Sequence, residues 1–246
     1  MWSDCDYLVR NVADRDFVEM QKCVGINYHA AGILFDLQLR RSFKPSSCHR
    51  FDALHVFLSN GIVPLELMLF LKAAKRIAGA YFVDFRQYAG RLGWQSPGCY
   101  KPEKAFSAAR EKASDTSLKA GASEIFSAYP VFRQWAIDTF LHNERMRAPL
   151  RSLLLLLDVV DLVRQATRRL EDADSFASGL DTAVFAHLNA FTNAYGRDEM
   201  KPKHHEATHL GDQLRKDKVL LWTFTAERKH IVAKKVLEFA KKTKLF

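Results

Sequence analysis

Most of the chain carries apolar residues at the three-to-four-residue spacing of amphipathic helices. In "FDALHVFLSNG", Asp52 can cap a short helix and Gly61 can end it. Pro64 then suits the first turn of the next helix, "PLELMLFLKAAKRIAG". Apart from "VLLWTFT", no segment alternates convincingly with a period of two. The pattern predicts an all-α fold, an irregular multi-helix bundle with at most one or two short strands near residues 219–225.

Later segments continue the helical pattern. "PVFRQWAIDTFLHN" is expected to begin a new helix at Pro130, and "APLRSLLLLLDVVDLVRQATRRLEDA" is the longest candidate. Its apolar run is far shorter than the roughly 20 residues of a membrane span, and Asp158 and Asp161 interrupt it. We therefore expect a buried core helix and no membrane association.

The length of 246 residues suits one or two domains, and we expect one helical unit over residues 1–246. Hydrophobic residues make up 48% and aromatic residues 12% of the chain, enough to bury a large core, which excludes a disordered protein. The four cysteines never stand at C-x-x-C spacing, and the first ten residues, "MWSDCDYLVR", carry charges where a signal peptide has an apolar run. An intracellular protein with reduced thiols is expected, and secretion is not.

Positive charge is concentrated near the C-terminus. The net charge is +9, and residues 201–246 hold twelve Lys and Arg against five Asp and Glu, which is +7. Such a block suits a polyanion, most commonly nucleic acid. The alternative is an ordinary solvated helical face.

The segment "HHEATH" contains the pattern H-E-x-x-H, with His205, Glu206 and His209. On a helix this pattern can bind zinc through two imidazoles and activate water through the carboxylate. The extended form is missing, because Gly211 comes one residue early and Arg215 stands where the third histidine belongs. A zinc hydrolase therefore needs another third ligand, for which Glu227 is the nearest candidate in the tail, and paired packed imidazoles are the alternative.

Two blocks of sequence resemble DDE-type transposases, nearest to the Kyakuja-Dileera-Zisupton class and its relatives in protist mobile elements. The tail has K-P-K-x-H, then H-L, then a phenylalanine-containing stretch that ends in E-R-K-H. The matching positions are Lys201, Pro202, Lys203, His205, His209, Leu210, Phe224, Glu227, Arg228, Lys229 and His230. The second block has D-x-x-H before an N-G turn, at Asp52, His55, Asn60 and Gly61. The blocks span residues 45–72 and 201–235 and flank a helical insertion at about 81–197.

The resemblance implies a ribonuclease H-like core in which carboxylates hold two Mg²⁺ ions for phosphodiester cleavage and strand transfer. Asp52 would be the middle acid and Glu227 the final acid, both as magnesium ligands. The imidazoles of His55, His205 and His209 would lie around the site. DNA phosphates would be held by basic side chains of the tail, namely Lys201, Lys203, Arg228, Lys229, Lys234 and Lys235.

Each acidic residue also has a structural interpretation. Asp52 can be the cap of the helix that starts near Ala53. Glu227 can lie in the first turn of the last helix, where its negative charge interacts favourably with the helix dipole. Only about fifty residues precede Asp52, and they do not have the pattern of the strands that carry the first catalytic Asp.

The sequence thus predicts the C-terminal part of a longer transposase, nuclear, DNA-binding and inactive alone. The alternatives are a helical interaction or scaffold protein that binds no nucleic acid, and the zinc hydrolase.

Overall fold

The computed structural model describes residues 50–92 and 100–223, together with Gln38. The chain divides into two compact units, Met1–Arg50 and Phe51–Phe246, and the helices from Ala53 onward belong to the second unit. About 74% of these described residues are helical and none of them is in a strand, which confirms the all-α prediction. Residues 219–223 form no strand, and residues 224–225 lie outside the described part.

Ten α-helices lie within residues 50–92 and 100–223. They are α1 (Ala53–Phe57), α2 (Ile62–Ala78), α3 (Phe82–Arg91), α4 (Pro102–Ala105), α5 (Ala108–Ala113), α6 (Ala122–Phe140), α7 (Arg147–Gln165), α8 (Ala173–Tyr195), α9 (Pro202–Ala207) and α10 (Leu210–Asp217). Single 3₁₀ turns cover Glu144–Met146 and Arg197–Glu199.

The turn between α1 and α2 depends on the predicted N-G pair. Asn60 has a left-handed φ of 49°, a conformation that Asn tolerates better than most residues. A Cβ on Gly61 would lie 2.5 Å from the backbone oxygen of Phe57, so only glycine lets α2 start this close to the end of α1. Downstream, α2 ends at Gly79, which has a φ of 70°.

The expectation that a new helix begins at Pro130 is wrong, because α6 runs through it from Ala122 to Phe140. Proline costs the helix one hydrogen bond and some steric strain. Buried side chains stand on both sides of it, including Ile125, Tyr129 and Phe132. The free energy gained by burying them favours one continuous helix in spite of the proline.

Helix α7 lies in the middle of the bundle and packs against α2, α6 and α8. Leu153, Leu156 and Leu157 are fully buried, as expected for a core helix. The two acids that interrupt its apolar run face Arg133 of α6, whose guanidinium lies 3.3 Å from Asp158 and 2.9 Å from Asp161. The apolar face therefore points into the core while the acids stay at its edge.

An aromatic cluster fills the space between α2, α3, α4 and α6. Phe70 meets Phe132, Trp135 and Phe140 edge to face, with ring centroids 5.4–6.3 Å apart.

By length and composition, one helical stretch of the described residues, Ala53–Ala78, is long and apolar enough to cross a membrane, with a mean hydropathy of 1.7. Since 78% of that window is buried inside the protein, its apolar surface is already covered.

Candidate functional site

The two motif blocks meet in the structure. The amide of Phe51 donates to Gln213 Oε1 at 2.9 Å, and Gln213 Nε2 donates back to the carbonyl of Phe51 at 3.0 Å. The amide of Ala53 donates to the carbonyl of Leu221 at 3.0 Å. The ring of Phe51 also stacks on His209, with centroids 5.5 Å apart. Residues about 160 positions apart in sequence thus form one junction.

Asp52 lies at the centre of this junction. Its Oδ1 accepts from the amides of Leu54 at 3.1 Å and Thr223 at 3.2 Å. Its Oδ2 accepts from the hydroxyl of Thr223 and contacts His55 Nδ1 at 2.5 Å. An ionised carboxylate offers about four acceptor positions, so these contacts occupy all of them. Asp52 therefore caps α1, as one sequence interpretation has it, and also holds the segment that ends at Thr223.

The partner that would complete a magnesium site lies outside the described residues. Thr223 is the last of them, four positions before Glu227. The basic positions Arg228, Lys229, Lys234 and Lys235 lie outside as well. The pairing of Asp52 with Glu227, and DNA contacts by these side chains, stay predictions.

The lysines of the K-P-K motif have different surroundings. Lys203 Nζ donates to the carbonyls of His55 at 2.5 Å and Ser59 at 2.9 Å, so it fastens α9 to the end of α1. Burial lowers the pKa of Lys203, and the nearby carboxylates of Glu206 and Asp52 partly oppose this. Lys201 is exposed. Both lysines are among the predicted DNA contacts, but Lys203 has a structural role and Lys201 faces solvent.

His205 and His209 lie close together although His205 belongs to α9 and His209 directly precedes α10. Helix α9 ends at Ala207 and α10 begins at Leu210, so the H-E-x-x-H segment is interrupted between the two helices. The two Nε2 atoms are 3.1 Å apart. Two zinc-bound imidazole nitrogens in tetrahedral geometry stand roughly 3.3–3.4 Å apart, so the pair fits one metal ion after a small rotation.

A third metal ligand is missing from the part of the chain that the structure describes. No group of three His, Cys, Asp or Glu side chains that could hold a metal ion occurs there. Among those residues the two imidazoles offer a chelating pair without the further protein ligand that zinc hydrolases use, and the predicted third ligand Glu227 lies outside them.

Sequence reasoning missed a buried polar cluster at the junction of α2, α8 and α9. Glu66 and His187 are fully buried and their Oε2 and Nε2 atoms lie 2.7 Å apart. The ring of His204 stacks nearly parallel to that of His187, with centroids 6.3 Å apart. Burial, and then the charge of Glu66, raise the pKa of Tyr195 well above its usual value. The signal that could have shown it is Glu66 itself, the single acid in the apolar stretch "IVPLELMLFL".

A pocket of about 300 Å³ lies beside this cluster, between the start of α2 and the start of α9. Asn60, Gly61 and Ile62 form one wall. Its other lining residues are Leu65, Thr116, Ser117, Lys201, Pro202, Lys203, His204 and Glu206. A larger concavity of about 520 Å³ at the end of α6, lined by residues 138 and 139 and 142–145, has no link to either motif block.

Comparison with known proteins returns no match to a protein-family model, to a curated protein or to a solved structure. The transposase resemblance rests on the two motif blocks alone.

Proposed function

We propose that the chain is a transposase-derived DNA-binding protein with little or no strand-transfer activity by itself. The observation that supports this most is the junction of the two motif blocks around Asp52. The resemblance puts both blocks in one site. In the fold, Thr223 and Lys203 of the second block donate hydrogen bonds to residues of the first block.

The basic tail would make the main DNA contact. Residues 224–246 hold seven Lys and Arg against two Glu, a net charge of +5, and they follow Thr223 directly. Attraction between such a segment and the phosphate backbone is independent of sequence and weakens with salt. Exposed Lys201 adds one more positive charge beside the junction.

Weak or absent catalysis follows from the surroundings of Asp52. Its four acceptor positions are already occupied, so a magnesium ion would have to displace a helix cap or a contact to Thr223. The resemblance also requires a first catalytic Asp on a strand. The sequence before Asp52 offers no strand-like context for it.

The binding test is fluorescence anisotropy with a duplex of about 30 bp over a series of KCl concentrations. We expect the association constant to fall linearly on a log–log plot. Replacing Arg228, Lys229, Lys234 and Lys235 by Gln should reduce the slope by up to about 3.6, since each lost phosphate contact contributes about 0.9.

A matched variant controls for charge alone. It replaces four exposed arginines elsewhere with Gln, namely Arg145, Arg151, Arg168 and Arg169. This variant should keep most of the slope. Absence of binding even at low salt would favour the scaffold alternative.

The catalytic part is tested separately by nicking of supercoiled DNA with Mg²⁺ or Mn²⁺. No nicking above background is expected from the purified chain. Robust nicking that Asp52→Asn abolishes would contradict the proposed lack of activity and support a catalytic Asp52.

A further inference from the structure

The pair of His205 and His209 is a metal-binding feature that the proposed function does not use. Both residues are exposed. Their Nε2 atoms lie 3.1 Å apart, and the ring planes cross at 88° with centroids 4.7 Å apart. Within residues 50–92 and 100–223, the hydrogen-bond contact of each ring is the other ring. Two imidazole nitrogens this close together at a surface can bind one ion at the same time, and imidazole suits Zn²⁺.

The junction of the two motif blocks holds this pair in place. The ring of Phe51 stacks on His209 with an angle of 14° between the planes. Phe51 is itself fixed by its two hydrogen bonds with Gln213. The turn between the histidines is closed by Thr208, whose amide and hydroxyl donate to the carbonyl of His205 at 3.0 and 2.7 Å. The imidazoles are therefore positioned before an ion arrives, which reduces the entropy lost on binding.

The charged residues beside the pair balance one another. The Lys203 ammonium interacts with the carboxylate of Glu206. The Arg215 guanidinium lies 2.9 Å from the carboxylate of Asp212. Because these four charges cancel, they add little to the cost of bringing a second positively charged chain to this surface. Charges farther away than about 8 Å are largely screened at physiological salt.

The pair fills only half of a zinc coordination sphere. Structural zinc sites have four protein ligands in a tetrahedron, and His205 and His209 supply two of them. A second copy related by a two-fold axis presents the same two imidazoles, so an ion on that axis would be bound by both pairs. One symmetric contact between exposed surfaces thus completes the tetrahedron.

We propose that a Zn²⁺ ion joins two copies of the chain, with His205 and His209 of each copy as its four ligands. The inference goes beyond the proposed function and does not depend on DNA binding. It also differs from the hydrolase alternative, in which a single chain supplies a third ligand and water takes the fourth position.

The experiment is sedimentation velocity of the full, untagged chain without DNA, with EDTA or with increasing Zn²⁺. We expect a monomer in EDTA and a dimer in zinc, and metal analysis of the dimer should give one zinc ion per two chains. A monomer at every zinc concentration, a dimer that persists in EDTA, or one zinc ion per chain in the dimer would overturn the shared site.

Substitution of Co²⁺ for zinc reports the coordination geometry. Tetrahedral Co²⁺ absorbs visible light much more strongly than octahedral Co²⁺ with water ligands. The strong bands of a tetrahedral site should appear together with the dimer. Weak octahedral bands would overturn the four-imidazole site.

Variants test the ligands. His205→Ala is the main variant, because His205 lacks the stacking contact with Phe51 that His209 makes. It should abolish the zinc-dependent dimer and weaken zinc binding by more than about tenfold, since even the loss of a group that only orients a ligand costs that much. The matched control, His142→Ala, removes another exposed imidazole and should dimerise as the wild type does. A zinc-dependent dimer that persists in His205→Ala would overturn the assignment.

Glu227→Gln separates the shared site from the hydrolase alternative. The variant should keep the dimer and the ratio of one zinc ion per two chains. Loss of zinc binding in Glu227→Gln would overturn the shared site and support Glu227 as a third ligand within one chain. Since DNA binding is measured separately, failure of the zinc dimer leaves the proposed function intact.

Discussion

Asp52 and Thr223 are joined through two hydrogen bonds although 171 positions separate them in the sequence. The amide of Thr223 donates to Oδ1 at 3.2 Å, and its hydroxyl donates to Oδ2. The same carboxylate caps α1 through the amide of Leu54. One side chain thereby links α1 to the segment that precedes the basic tail.

Replacing Asp52 by Ala is predicted to lower the free energy of unfolding by about 2–4 kcal/mol. The loss combines about 1 kcal/mol for the cap with about 1 kcal/mol for each further hydrogen bond. Urea denaturation at pH 7 measures it. Asp172→Ala is the matched control, because Asp172 caps α8 through the amide of Ser175, and its loss should be about 1 kcal/mol. Equal losses in the two variants would contradict the role of Asp52 as a junction.

Gly61→Ala is predicted to destabilise the fold by more than about 2 kcal/mol. The new methyl group would overlap the backbone of Phe57, which cannot move without displacing the buried end of α1. Gly90→Ala in α3 is the control, since a Cβ there meets nothing within 4 Å and should stabilise the helix by about 0.5–1 kcal/mol. Thermal unfolding of both variants measures these effects. A melting temperature of Gly61→Ala equal to that of the wild type would contradict the predicted overlap with Phe57.

His204 is predicted to make stability dependent on pH between about 4 and 6.5. Burial lowers its pKa to about 4, so the unfolded chain takes up a proton that the folded protein excludes. Its contribution to stability is full above about pH 6.5 and is lost as the pH falls. Between pH 7 and pH 4.5 the loss should be about 2–3 kcal/mol.

The measurement compares urea denaturation of the wild type and His204→Gln at the two pH values in a buffer without phosphate. The variant should lose less stability on acidification, because its position has no titrating ring. His142→Gln, at an exposed position, should behave as the wild type does. A His204→Gln profile parallel to the wild type would exclude His204 as the source.

His205 and His209 are predicted to bind Zn²⁺ as a chelating pair. Their Nε2 atoms, 3.1 Å apart, can share one ion, and an ion that binds only the folded state raises its stability, by about 1–3 kcal/mol at concentrations well above the dissociation constant. The melting temperature should rise with added Zn²⁺ in untagged protein. Replacing both histidines by Ala should abolish that rise.

His142→Ala should retain the rise, which separates the pair from unspecific binding to an exposed imidazole. Peptide hydrolysis would need a third protein ligand, and the candidate Glu227 lies outside the described residues. Stoichiometric zinc in the purified chain together with zinc-dependent peptide cleavage would instead promote the hydrolase alternative.

Local sequence determined much of the helical framework. The cap at Asp52, the turn at Asn60 and Gly61, and the end of α2 at Gly79 follow from backbone preferences that act within a few residues. The apolar spacing likewise indicated the all-α class. The helix break expected at Pro130 failed because local preference for a break was weaker than burial on both sides of that residue.

The candidate site shows the opposite balance. Neighbouring residues of one motif have different surroundings, since His204 is buried while His205 is exposed. Similarly, Lys203 donates to backbone carbonyls while Lys201 faces solvent. A short helix distributes adjacent side chains over different faces, and sequence periodicity does not say what covers each face.

By itself, the sequence determined the helix class, the main turns and the two motif blocks, because these depend on interactions between near neighbours. Only the tertiary structure decided that Asp52 meets Thr223, that Glu66 pairs with His187 inside the core, and that a pocket opens beside His204. Those relationships join residues more than 100 positions apart. They exist only after the helices pack, since packing alone determines which polar groups lose water and must find partners in the protein.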